Sequence, residues 1–195
     1  MERRFQHVFL MGPMGAGKST VAQYLRREMS YVRYSLATPV DAVLDIAAPW
    51  LKDASKAVRR PYLQKVGRFL REFKPNPLLL AAEEVLKHTV SPIVIDDGRT
   101  VEEAVWADQH GFLVIILTAS EFVRRRRILA RDGELPDGRT HEDMTEQQWQ
   151  HARGFLIDTS DLTEDEMCQM VCAAIEARRL AMCKREERTA NGDEA

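Results

Sequence analysis

Residues 12–19 read Gly-Pro-Met-Gly-Ala-Gly-Lys-Ser and fill every fixed position of the pattern G-x-x-x-x-G-K-[ST]. An apolar run precedes them and a helical segment begins at Thr20, the two contexts the pattern requires. Glycines at Gly12, Gly15 and Gly17, with Ala16 between, let consecutive backbone N–H groups turn inward on a polyphosphate, which also meets the positive end of the next helix. Lys18 is then expected to bridge the β- and γ-phosphates, with the Ser19 hydroxyl on Mg²⁺ and Thr20 opening the helix. ATP and Mg²⁺ are the cofactors this chemistry calls for. A glycine-rich turn that binds nothing is the plain alternative.

A second cluster, Asp96-Asp97-Gly98-Arg99, ends a run of Ile and Val. Carboxylates at such a strand end hold Mg²⁺ through water beside a phosphate loop, so Asp96 and Asp97 join Ser19 as candidate metal-binding residues. Arg99 is placed to hold an anionic second substrate. The competing reading is a turn capped by Asp. Further on, Arg124 to Arg127 and Arg131 form a basic helical stretch in which Arg124, Arg127 and Arg131 share one face, opposite Phe122 and Leu129. Beyond it comes a Gly/Pro-containing polar loop, of the kind that closes over a site. These arginines either neutralise phosphate during transfer or form a solvated face.

The residues just past the second strand bear on the acceptor. A kinase acting on an alcohol generally uses a carboxylate to take the hydroxyl proton, whereas a phosphate acceptor is already an anionic nucleophile. Here the chain runs Ser35-Leu36-Ala37-Thr38-Pro39, and the first acid, Asp41, already lies in the next helix. That leans against a hydroxyl acceptor. Residues 59–71 then combine arginines and a lysine with Gln64, Tyr62 and Phe69. Cations there could clamp a monophosphate, Gln64 could read a base edge, and an aromatic ring could stack. An ordinary basic amphipathic helix fits as well.

The elements that must position these groups are legible as alternation. Apolar or β-branched runs at 7–11, 31–35, 93–96, 112–117 and 155–158 read as buried strands. Helical segments lie between them. Thr100 with Glu103, Thr118 with Glu121, Thr145 with Gln148 and Thr163 with Glu166 are candidate capping boxes, and Thr38-Pro39 reads as a cap with a first-turn proline. The expected fold is α/β: a P-loop NTPase with a five-stranded parallel sheet flanked by helices, ligands binding beyond the carboxyl ends of the strands. One domain over 1–183 is expected, with an acceptor-binding helical part at about 50–90, a lid at about 124–145 and a flexible charged tail over 184–195.

Composition narrows the class. With 28 basic and 30 acidic side chains, the formal charge is −2, so bulk charge gives no reason to expect nucleic-acid or membrane binding. No apolar run approaches the ~18 residues a membrane span needs, and no signal-peptide core is visible; a cytoplasmic protein is expected. Cys168, Cys172 and Cys183 lack metal-ligand spacing and read as reduced helix residues.

Taken together, the phosphate loop, Tyr62-Leu63-Gln64-Lys65-Val66-Gly67 with Arg68, Asp97-Gly98-Arg99 with Glu103, Arg131-Asp132-Gly133 and Thr145-Glu146 resemble the phage-type deoxynucleoside monophosphate kinases, over most of the chain. The resemblance implies phosphorylation of a (deoxy)nucleoside monophosphate to the diphosphate, in a host cytoplasm if the gene is carried by a phage. It implies Lys18 and Ser19 at ATP and Mg²⁺, Asp97 in the metal region, Arg99 and Arg68 at the acceptor phosphate, and Arg127 with Arg131 at the transferred phosphoryl group. The partners implied are small-molecule nucleotides, with a homodimer left open. Gly98 stands where that family more often has a branched apolar residue, and Thr38 near where it often has an acid. Residues 155–163 also resemble the last strand and loop of dephospho-coenzyme A kinases, the rival enzyme. A P-loop nucleotide-binding switch without transfer is the alternative from another class.

Overall fold

The computed structural model describes residues 6–73, 76–133, 135 and 148–190. Five strands form one parallel sheet: β1 (His7–Met11), β2 (Val32–Tyr34), β3 (Ile93–Gly98), β4 (Phe112–Thr118) and β5 (Phe155–Asp158), in the order β2-β3-β1-β4-β5. The helices are α1 (Lys18–Glu28), α2 (Thr38–Ala47), α3 (Lys56–Phe73), α4 (Pro77–His88), α5 (Val101–Gln109), α6 (Glu121–Asp132) and α7 (Glu164–Ala190), with short 3₁₀ turns at Pro49–Leu51 and Gln148–His151. The connection from β1 runs past β3 to β2, whereas that from its neighbour β3 runs past β1 to β4, so the two leave in opposite directions. The carboxyl end of β1 is therefore the switch point at which such sheets bind ligands.

Two compact units result: Met1–Arg33 with Ser91–Ala195, and Tyr34–Val90. In the first, strand alternation sorts the apolar residues onto the two sheet faces. Val8, Leu10, Val94, Ile115, Leu117 and Ile157 cluster with Val21, Ala22 and Leu25 of α1 and with Met167, Val171 and Ile175 of α7. Phe9 and Phe112 meet edge to face, with centroids 6.4 Å apart, and Trp106 of α5 lies 5.7 Å from Phe112. In the second unit, Leu44, Ala48 and Leu51 pack with Leu63 and Val66. This unit begins at Tyr34 rather than near residue 50, because α2 packs on α3.

The strands fall where the apolar runs put them, with shifted ends. β3 continues through Asp97 and Gly98, since Gly98 is in register with Met11 of β1. Of the expected caps, the box at Thr100 forms in full, and Thr163 exchanges bonds with Glu166 in the same way. Thr118 caps nothing: it is the last residue of β4, paired with Asp158, and Ser120 caps α6 instead by accepting from the Val123 amide. Thr38 lies inside α2, which it enters through a turn in which the Ser35 hydroxyl accepts from the Ala37 amide. The box at Thr145 and the lid beyond residue 135 lie outside the described residues. α7 runs past Lys184 to Ala190, further than a tail from residue 184 would allow. Among the described residues, no helix is long and apolar enough to cross a membrane.

Candidate functional site

The loop between β1 and α1 has the backbone its glycines suggest. Gly12, Gly15 and Gly17 have φ of 128°, 83° and 99°, a region that side-chain-bearing residues rarely occupy. Space is equally restrictive. A Cβ on Gly12 would run into the Leu117 carbonyl, and one on Gly15 would lie 2.8 Å from the Arg124 carbonyl oxygen. Gly17 is the N-cap of α1 and offers no side chain to the first-turn amides. Those amides and the helix dipole are what a phosphate would meet. The Lys18 ammonium donates to the carbonyls of Gly12 (2.5 Å) and Pro13 (2.9 Å), which holds it over the loop. Ser19 is exposed, Thr20 half-buried and Ala16 buried.

The two strand-end acids differ. Asp96 is buried, its side chain 4% exposed, and both its oxygens are bound by Arg33 of β2, Nε at 3.0 Å and Nη2 at 2.6 Å. Asp97, the next residue along the strand, is half-buried. Arg99 is exposed, and its amide donates to Glu103 (2.7 Å), which also takes the Thr100 amide. Among the described residues, no group of three His, Cys, Asp or Glu side chains is arranged to hold a metal ion.

The basic helix α6 meets the phosphate loop through two arginines. The Arg124 backbone abuts Gly15, and its Nε donates to the Ala119 carbonyl at 3.1 Å. The Arg127 guanidinium donates to the Thr159 hydroxyl (2.9 Å), the Thr159 carbonyl (2.7 Å) and the Gly15 carbonyl (3.4 Å). Arg131 is exposed and forms a two-pronged pair with its neighbour Asp132, which raises its already high pKa. Gln64 and Arg68 lie exposed on α3, in the second unit. There Asp41 is bound by Arg59 at 3.0 Å, and the same Nη2 reaches Asp45 at 2.8 Å.

Two residues of this region went unread in the sequence. Arg33 lies inside a short strand, and nothing beside it in the sequence points to Asp96. Thr159 directly succeeds β5, one of the strand ends at which ligands are sought, and is fully buried. Beside it, the Ser160 hydroxyl and amide hold the Asp158 carboxyl below its ordinary range. Burial pushes the Cys168 thiol up to about 11, in keeping with an inert helix cysteine.

A phosphate loop at the switch point of a parallel five-stranded sheet defines a P-loop kinase-like fold. Residues 8–150 match the model of the AAA domain family, and the chain belongs to that family. Curated proteins give no match. Among solved structures, the chain is similar to a gluconokinase from Sinorhizobium meliloti (18% identity, 95% of this chain and 99% of that one, TM-score 0.56). It is similar to shikimate kinase from Acinetobacter baumannii in complex with shikimate (15%, 91% and 96%, 0.56). It is also similar to TT1252 from Thermus thermophilus (19%, 89% and 98%, 0.60). At these identities the likeness is one of fold.

Proposed function

We propose that this chain is a small-molecule kinase that transfers the γ-phosphoryl group of ATP to the phosphate of a nucleoside monophosphate, a deoxynucleotide by the resemblance of its motifs. The phosphate loop and the P-loop kinase-like fold support ATP as donor. The acceptor class rests on one observation: past β2 the first carboxylate is Asp41, and it is engaged by Arg59. The Asp41 Oδ1 is taken up by the Arg59 guanidinium, whereas a general base needs its oxygen within reach of the hydroxyl it deprotonates. A phosphate acceptor needs no such base.

In this reading Lys18, Arg127 and Arg131 neutralise the charge of the phosphoryl group in flight, and closure over the site excludes water. By the resemblance of their motifs, Arg99, Arg68 and Gln64 are each assigned to the acceptor. Mg²⁺ would supply positive charge that offsets the charge of the phosphates. The Ser19 hydroxyl and the Asp97 carboxylate are hard oxygen donors that suit it, and Mg²⁺ commonly keeps waters and phosphates as its remaining ligands. Asp96 is committed to Arg33, and Asp97 is the acid that the motif resemblance assigns to the metal region.

A hydroxyl acceptor is the second reading, because a gluconokinase and a shikimate kinase are among the structural neighbours and Asp41 remains 45% exposed. The deciding experiment is ATP consumption with Mg²⁺ across deoxynucleoside and ribonucleoside monophosphates, shikimate and dephospho-coenzyme A, with products identified. Nucleoside diphosphate formation is expected, and it is expected to vanish in Lys18→Ala. Turnover with an alcohol alone overturns the acceptor assignment, and ATP binding without any transfer brings forward a nucleotide switch.

A further inference from the structure

Several hydrogen-bond contacts converge on Thr159, a residue with no exposed surface. Its amide donates to the Thr118 carbonyl at the end of β4 (2.8 Å), and its hydroxyl and carbonyl oxygens accept from Arg127 (2.9 and 2.7 Å). The hydroxyl also lies 3.1 Å from the Ala16 carbonyl and 3.0 Å from that of Thr118. Arg127 in turn reaches the Gly15 carbonyl.

A threonine hydroxyl has a single proton to donate. Arg127 can only donate, so that proton has two acceptors within reach, the Thr118 carbonyl and the Ala16 carbonyl, and the contact with Ala16 is the one that reaches the loop. That bond has a directional consequence. In a planar trans peptide the C=O of one residue and the N–H of the next point in opposite directions, so fixing the Ala16 carbonyl also aims the Gly17 N–H. Gly17, at φ 99°, has no side chain of its own to fix this peptide.

We propose that Thr159 is a positioning residue for the phosphate cradle: through the Ala16 carbonyl it orients the Gly17 amide toward the bound polyphosphate, and through its hydroxyl and carbonyl it fixes Arg127 against the same loop. The role rests on the nucleotide-binding reading of the loop but not on the identity of the acceptor. A preorganised donor adds to binding without being reordered when the ligand arrives, so its loss is felt in affinity for the phosphates themselves.

The test is calorimetric binding of ADP and of inorganic tripolyphosphate to the full chain, wild type against Thr159→Val and Thr159→Ser. Thr159→Val keeps the shape and removes the hydroxyl; it is expected to weaken both ligands by about tenfold, the scale of one buried bond lost with its partner left behind. Thr159→Ser keeps the hydroxyl and is expected to stay within about threefold of wild type. Should Thr159→Val not fold, Thr159→Cys, with its weak thiol donor, replaces it with the same expectation. A folded variant with lowered thermal stability but unchanged affinity for both ligands overturns the proposal, as does weakening of ADP with tripolyphosphate unaffected. A wild type that binds neither ligand overturns the nucleotide reading itself, a result distinct from any behaviour of the variants.

Discussion

Replacing Arg33 by Met strips the buried Asp96 carboxylate of both its hydrogen-bond donors at once. Removing one partner of a fully buried ion pair typically costs about 3–5 kcal/mol. Arg33 is 40% exposed, however, so water can enter part of the space it leaves, and the cost is discounted to about 2 kcal/mol. For a chain of this size that is a drop in Tm of roughly 4–8 °C. Urea unfolding at neutral pH reads the change directly, with a constant m-value as the check that only stability has moved. The double variant Arg33→Met, Asp96→Leu removes both charges, and because an apolar replacement of a buried pair is often neutral, it is expected to recover at least half of the loss. If Arg33→Met unfolds within about 0.5 kcal/mol of wild type, or the double variant is no better than the single, then Arg33 does not compensate Asp96, and Asp96 returns as a candidate for the metal.

Other outcomes rest on single contacts. Gly98→Val would drive a side chain into the Phe9 ring and toward the Leu10 carbonyl, 3.1 Å from the new Cβ, so a loss of about 1–3 kcal/mol is expected in urea unfolding, partly restored by adding Phe9→Leu; full stability in Gly98→Val would count against this packing. His7 accepts the Ile93 amide at 3.0 Å, and burial lowers its pKa below 6.5. The unfolded chain therefore takes up the proton first, and stability falls as pH drops from 6.5 toward the folded pKa and levels off below it. His7→Gln should flatten that part of the pH dependence, and an unchanged slope would show that other groups carry it. Arg131→Ala is expected to lower kcat more than it raises the KM for ATP, since the pair it gives up is with Asp132 at the surface; a defect confined to ATP binding would remove it from the transition state.

Features that depend on neighbours in sequence could be read before the structure. The phosphate loop is eight consecutive residues, and the strands are continuous apolar runs, so both stood out. Ends of elements were less legible, because they depend on distant pairing: β4 extends to Thr118 since Asp158 of β5 lies beside it, and this turned an expected cap into a strand residue. The same distance hid Arg33 and Thr159. Arg33 is 63 positions from Asp96, and Thr159 is 143 from Ala16, so no local pattern could announce either bond. Gly98 shows the reverse effect. Set against the motif it resembles, a glycine there looks like weakness in one dimension, but in the fold the Phe9 ring occupies the place a branched side chain would need.

The second unit leaves the sheet after β2 and rejoins it before β3, and those strands are neighbours, tied at their entrance by the Val32 amide on the Pro92 carbonyl at 2.8 Å. Everything from Tyr34 to Val90 is thus a detour from the carboxyl end of one strand to the amino end of its parallel neighbour. A crossover between parallel neighbours needs only a dozen or so residues, so most of this excursion is surplus to closing the sheet. Its helices carry their own small core and the Arg59 knot. Such an arrangement lends itself to replacement in one piece: the strands and the glycine-rich loop can stay while the whole excursion is exchanged for another, a change made by transplantation instead of by point substitution.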